Sequence, residues 1–338
     1  MEKVRRAEIG LTYSGKDITR EVSPHVKSLI YRDVAHGKAD TLEVVFEDRD
    51  RLFQGPWMME RGGRLSAEIR VLDWFGPGDV QALRCGGFAV DEVELSGPPD
   101  EVRVKAVSAL TTTALRLEKR TRAWENVSLR TIAGDIASRH GLQCFFEGED
   151  VAFKRVDQRE ESDLSFLKRL CEAHGFQVKV AEEKLTLYEG KAFDAKAPAF
   201  KVSRGTSWVI SYSFRGKSFE VYRACEVRYW DPETKSEKVY RFEPGGASRV
   251  GHVLKVNERV ESLSDAERRA RAELRRANRV ELSGEIVMAG CPGILGGLNL
   301  GLSGFGAYDG VWAVEEAEHR ISSSGYTVRI KIRKTVPY

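Results

Sequence analysis

Three runs in the first third of the chain alternate apolar and polar residues with a period of two, which restricts the possible folds more than any other feature. Leu42, Val44 and Phe46 alternate with Thr41, Glu43 and Glu47. Leu65, Ala67, Ile69 and Val71 alternate with Ser66, Glu68 and Arg70, and Val102, Val104 and Ala106 with Glu101, Arg103 and Lys105. Such spacing sends one set of side chains to a buried face and the other to water. Turn formers separate the runs: Gly62-Gly63, Gly76-Pro77-Gly78-Asp79, Gly86-Gly87 and Gly97-Pro98-Pro99-Asp100. Short strands joined this way close into a barrel or pack as a sandwich.

The period changes after about Thr121. Leu129, Ile132, Ala133, Ile136 and Ala137 follow helical spacing, with Ser128 placed to cap the start and Gly141 to end the helix. A second helix repeats the plan, with Ser162 or Asp163 as cap, Leu164, Phe166, Leu167, Leu170 and Cys171 as stripe, and Gly175 as terminator. Strands are predicted at 143–146, 177–180 and 185–188, making a small α/β module. From Lys191 the pattern is again mostly strand, interrupted by one long helix over 264–278 with Ser264 as its cap. A hairpin turning at Ser322 to Gly325 closes the chain. The fold class expected is mainly β with α+β: two antiparallel barrels flanking the module. The expected boundaries are 1–120, 121–190 and 191–338, with a return of part of 191–225 to the first barrel left open.

Chemistry-bearing patterns are sparse. The five cysteines are far apart and form no Cys-x-x-Cys pair, so isolated reduced thiols are expected rather than a zinc ribbon or a disulfide framework. None of the six histidines makes His-x-x-x-His or His-Glu-x-x-His. His140 and His174 each precede a glycine at a helix end, where a partly charged imidazole offsets the helix dipole. The glycine-rich stretch Gly293 to Gly310 lacks the Gly-Lys-Ser/Thr ending of a phosphate loop and reads as bent strand and tight turn. Arg268, Arg269, Arg271, Arg275, Arg276 and Arg279 make the long helix basic. Glu267 and Glu273 interrupt it and no stacking aromatics are interleaved, so a solvated or inter-subunit face is expected rather than a nucleic-acid site. Net charge is only +3, too small a bias to argue for nucleic acid. The first residues do not read as a signal peptide and no run approaches a membrane span, so folding in a cytoplasm without membrane insertion is expected. No catalytic, cofactor-binding or metal-binding residue is assigned, and no cofactor is expected.

The run RTRAWENVSLRTIAGDIASRHGL, followed by VAFKRVDQREESDLSFLKRLCEAHGF, resembles the phage late control D proteins. These are the hubs of contractile tail baseplates, related to the phage Mu hub and the N-terminal part of VgrG. The telling pattern is Gln158, Glu161-Ser162-Asp163, Phe166-Leu167, Leu170 and Gly175. SLSDAERRARAELRRANRVELSGEIVMAG, GVWAVEEAEHRI and GYTVRIKIRK follow the family's order of helix, strands, Trp-containing strand and closing hairpin. LTYSGKDITREVSPHVKSLIYRDVAHGKADTLEVVFEDRDRLF resembles its opening strands, including the aspartate-rich turn after Phe46.

The resemblance implies a structural role rather than an enzyme. It implies two tail-tube-like barrels per chain and a homotrimer forming a pseudo-six-fold ring. The partners it implies are the tail tube, other baseplate proteins and a spike carried on a separate chain, since the sequence stops after the closing hairpin. DNA would only pass through the lumen. Two other readings are carried beside it: a peptidoglycan-binding module, because Trp124 to Leu142 resembles a LysM-type unit, and a hub-associated cell-wall hydrolase.

Overall fold

A computed structural model describes residues 4–108, 113–181, 183–219, 221–231, 234–245, 251–260, 262–336 and 338. The first region contains β1 (Arg6–Tyr13), β2 (Lys16–Asp17), α1 (Thr19–Val22), β3 (Val26–Val34), β4 (Thr41–Glu47), β5 (Arg64–Leu72), β6 (Val80–Ser96) and β7 (Glu101–Val107). The predicted alternation is realised here: Leu42, Val44, Phe46, Ile69 and Val71 are all fully buried. They share one core with Leu11, Leu29, Phe53, Phe88 and Val104. The outward positions pair charges across strands. Lys105 Nζ lies 2.9 Å from Glu92 and Arg103 Nη1 lies 3.2 Å from Glu94. Pairs this open to water fix register more than they add stability.

The module follows as α2 (Thr113–Leu117), β8 (Lys119–Ser128), α3 (Leu129–Arg139), β9 (Gln143–Glu147), β10 (Ala152–Ser162), α4 (Asp163–Ala173), β11 (Phe176–Ala181) and β12 (Lys184–Glu189). Ser128 and Ser162 cap α3 and α4, accepting from the Thr131 and Ser165 amides at 3.2 and 3.3 Å. The apolar stripes of both helices meet β11 and β12 in a separate core.

Beyond α5 (Gly190–Asp194) come β13 (Phe200–Ser203), β14 (Val209–Gly216), β15 (Tyr222–Asp231), β16 (Ser236–Phe242), β17 (His252–Val260), α6 (Leu263–Asn278), β18 (Leu282–Ala289), β19 (Asn299–Ser303), β20 (Gly310–Ser322) and β21 (Gly325–Lys334). β13 and β14 pair with β19 and β18, around a core built on Trp312, Ile286, Leu300 and Ile330. The strands from 222 to 260 do not join them. They form their own sheet in the order β16-β15-β17, covered by Ala266, Ala270 and Leu274 of α6. Alternation reports a strand's buried face and not which sheet it enters, so a sequence reading of 191–338 as one barrel cannot see this division. The cap of α6 also differs from expectation. Ser262 is extended and accepts from the Asp265 amide at 3.1 Å, which leaves Ser264 inside the first turn.

The two large β regions form one sheet. Its order is β14-β18-β21-β20-β3-β4-β7-β6-β5-β1-β2, with β13 and β19 branching from β20. β20 makes the join. Its first residues pair with β19 from Gly310 to Ala313, and Glu316 to Ser322 pair with Val34 to Ser28 of β3. A register shift between Val314 and Glu316 marks the change of partner, as expected where a bulge re-aims a strand.

Candidate functional site

Four polar clusters hold the structure together: one inside the module, one between the module and the first β region, one at the β3–β20 join and one between α5, α6 and β21. The first explains the Gln…Glu-Ser-Asp pattern. Asp163 opens α4 with its side chain 1% exposed, and its carboxylate accepts from Gln158 Nε2 at 2.8 Å and Arg139 Nη1 at 2.8 Å. His140 Nε2 lies 2.9 Å from the same carboxylate. Burial opposes the charge on Asp163, and the hydrogen bonds from Gln158, His140 and Arg139 outweigh it, holding the carboxyl below its ordinary range. Thus His140, at the C-cap of α3, ties α3 to α4 through its ring. His174 departs from expectation. Burial and then Arg269 push it down to about 4, so it is neutral at the end of α4, edge-on to Phe153.

The second cluster docks the module on the first β region. Lys179 of β11 reaches Asp33 of β3 at 2.5 Å and Asp40 at 3.8 Å, and Gly37 N donates to Val178 O at 3.2 Å. The other oxygen of Asp33 accepts from Gly296 N at 2.9 Å, bringing in the glycine-rich stretch. A β-carbon on Gly296 would lie 2.7 Å from Ala35 N and 2.8 Å from Asp33 O. Close backbone approach therefore accounts for glycine at 296.

The third cluster straddles the β3–β20 join. His319 is fully buried between Tyr31 and Tyr326, with Nδ1 2.8 Å from Tyr326 Oη and Nε2 2.8 Å from Ile294 O. Burial pushes it down to about 4. Trp74 Nε1 of the first region donates to Gly290 O of the second at 2.7 Å, and Trp208 packs against both cores.

The fourth cluster is the most highly charged. Asp194, at the end of α5, accepts from Arg333 of β21 and from Val336 N at 3.1 Å, and pairs with Arg275 of α6 at 3.5 Å. Arg275 in turn donates to Val336 O at 2.7 Å. Asn278 brackets Tyr222 with hydrogen bonds to its N and O at 2.9 and 2.8 Å and donates to Tyr338 Oη at 2.6 Å. The arginines of α6 are therefore not one solvated face. Arg275 belongs to the interior, which residue type and helical spacing alone do not reveal.

Among the described residues no His, Cys, Asp and Glu side chains group closely enough to hold a metal ion, and no helix is long and apolar enough to cross a membrane. All five cysteines are free, and burial raises the thiol pKa of Cys225 to about 12. Trp124, which opens the LysM-like segment, is buried against Phe166 with Arg122 3.7 Å above its ring. The main path of the long sheet ends at β2 and β14, and its branch ends at β13. On β14, Ile210 and Tyr212 are 60% and 40% exposed.

Comparison with known proteins adds three findings. The model of the phage tail baseplate hub (GPD) family matches residues 89–325. Two curated relatives carry the description probable baseplate hub protein. That of Escherichia phage P2 is 34% identical over 178 residues, covering 52% of this chain and 43% of its own length. That of Escherichia phage 186 is 29% identical over 237 residues, covering 68% and 58%. The chain thus spans about half the length of the curated relatives it matches. Among solved structures, the 43 kDa tail protein of prophage MuSo2 from Shewanella oneidensis has the same fold, with a TM-score of 0.73 at 14% identity over 97% of this chain and 98% of that one.

Proposed function

Because the chain belongs to the phage tail baseplate hub family, we propose that it is the hub subunit of a contractile tail, on a phage or phage-like particle. In this reading three copies close into a ring that joins a six-fold tail tube to a three-fold spike. The observation that carries it is the join between β3 and β20, which fuses two β regions with separate cores into one body. Three such bodies present six β units around an axis, which reconciles the two symmetries. The units are residues 1–120, the module at 121–190 and the remainder to 338, within which β15, β16, β17 and α6 stand apart as a layer with their own core.

The role is mechanical rather than enzymatic. Buried ion clusters fix the module and α6 against the β units, so a load taken at the ring reaches the whole body. The protein works in the baseplate after assembly in the bacterial cytoplasm, beside the spike, the tube and other baseplate proteins, and DNA passes through the lumen without being held.

Light scattering on the chain alone and co-expressed with its spike protein tests the proposal. A mass of three chains, each 38.0 kDa, in either sample supports it. A monomer that ignores the spike overturns it.

A further inference from the structure

Where α4, α6 and the loop after β3 converge, the structure leaves a cavity of about 240 Å³ lined by His36, Lys168, Gln177, Arg275, Arg276 and Arg279, among others. Its charge does not balance. Arg276 is matched by Glu273 at 2.6 Å and Lys168 by Glu172 at 3.9 Å. Arg275 and Arg333 share the carboxylate of Asp194, and Arg333 also has Glu315 at 3.5 Å, so the unmatched charge is that of Arg279.

Arg279 makes no ion pair among the described residues. Its guanidinium donates to the amide oxygen of Gln177, whose nitrogen donates to Tyr188 Oη at 2.7 Å in the amide orientation that satisfies both atoms. Arg279 Nε is buried and meets no acceptor. A buried guanidinium with only a neutral partner is costly, and an anion beside it removes that cost. Burial, then Arg333, lower Arg279 to about 10, so it stays charged at neutral pH. His36, pushed to about 3 by burial and by Arg279, Arg333 and Lys168, is neutral there and can donate one N–H.

We propose that this cavity is an oxyanion site, seating one phosphate- or carboxylate-sized group between Arg279, Arg276, Lys168 and His36. The group would sit on the contact between the module and α6, so its binding would tighten the packing of the two. A guanidinium fork suits a tetrahedral or planar oxyanion better than a halide, since two N–H groups can point at two oxygens.

The test is calorimetric titration of the full chain with inorganic phosphate, and separately with acetate, at constant ionic strength set by chloride. Saturable one-to-one binding of phosphate is expected, weakened about tenfold in Arg279→Gln by loss of a charge-assisted contact. Binding of acetate as well would widen the site to carboxylates, and phosphate alone would restrict it to tetrahedral anions; both support the proposal. The double variant Lys168→Gln/Arg276→Gln changes only the more exposed rim. It supplies the comparison should Arg279→Gln unfold, and is expected to weaken binding by roughly tenfold as well. No heat from phosphate above the chloride background, or equal affinity in the wild type and the folded variants, overturns the proposal.

Discussion

Asp194 and Arg333 meet in the interior through two parallel hydrogen bonds, 2.8 and 3.1 Å long, with both side chains almost wholly shut from solvent. The pair joins the end of α5 to β21, and the same carboxylate also holds Arg275 and the amide of Val336. Replacing Asp194 with Ala takes the buried carboxylate from both Arg275 and Arg333, leaving Arg275 the Val336 carbonyl and Arg333 the Lys334 carbonyl and Glu315 at 3.5 Å. The expected loss is about 3–5 kcal/mol, the usual consequence of breaking one side of a buried pair. Urea denaturation of Asp194→Ala against wild type measures it, and a loss below about 1 kcal/mol would show that water or a rearranged partner replaces the carboxylate.

Asp40 makes stability depend on pH in a direction opposite to most carboxylates. Burial raises it from 3.8 to about 6, with the Asp33 carboxylate adding to the rise and Lys179 opposing it. The folded state therefore holds the proton more tightly than the unfolded chain between pH 3.8 and 6. This group's contribution to stability falls as pH rises through that window. Asp40→Asn keeps an acceptor for Val34 N, which Asp40 Oδ1 now receives at 2.8 Å. The variant should lack that component, so the difference between wild type and Asp40→Asn should shift in favour of wild type as pH falls from about 7 to about 4.5. A pH-independent difference would show that Asp40 is ionised throughout.

His319 acts the other way. Its folded value is about 4 against 6.5 for a free imidazole, so acid protonates the unfolded chain first. Stability from this residue is complete above pH 6.5 and is lost as pH falls through 4, on the order of 3 kcal/mol in total. His319→Gln lowers stability at every pH by disturbing Tyr326. Its diagnostic is the slope: wild type should lose more stability than the variant between about pH 7 and about pH 4.5. Parallel curves would place the acid sensitivity elsewhere, with His36 and His174 the first alternatives.

Elements with periodic buried faces are legible in the sequence, whereas β8 and β10, mostly exposed and paired with each other, carry no such period. The stripe of Leu129, Ile132, Ala133 and Ile136 and the alternation of Leu42, Val44 and Phe46 are where spacing puts them. What spacing cannot encode is which sheet a strand enters. β15, β16 and β17 alternate like their neighbours yet leave the main sheet, while β20 serves two partners through one bulge. The buried clusters were equally hidden. Asp33, Lys179 and Gly296 are far apart in sequence, and nothing in their residue types distinguishes them from surface charges and a loop glycine. Gln158 and Asp163 could be read as a pair by their family pattern, but not that His140 and Arg139 complete the cluster.

Two glycines should respond oppositely to alanine. Gly134 lies inside α3 with nothing within 4 Å of where a methyl would stand, so Gly134→Ala should stabilise by about 0.5–1 kcal/mol through helix propensity. At Gly296 the methyl would press on the backbone of β3 and its following loop, and Gly296→Ala should destabilise by about 1–3 kcal/mol. Thermal denaturation of the two variants beside wild type gives both signs at once. A neutral Gly296→Ala would mean that the glycine-rich stretch can move away from β3 at little cost.

The exposed edge of β14 separates folding from assembly. Its backbone pairs with β18 on one side; Ile210 stands largely in water, and Tyr212, 40% exposed, leans on Phe305. An open edge carrying apolar side chains is a surface that another chain can cover, and a lysine there is a common way to prevent such pairing. Because Ile210 is 60% exposed, Ile210→Lys should leave the stability of the isolated chain within about 0.5 kcal/mol of wild type. The same change should reduce the trimer fraction seen by light scattering if β14 lies in the ring contact. Unchanged trimer with unchanged stability would move the contact to the other end of the sheet, at β2, where the corresponding edge is also open.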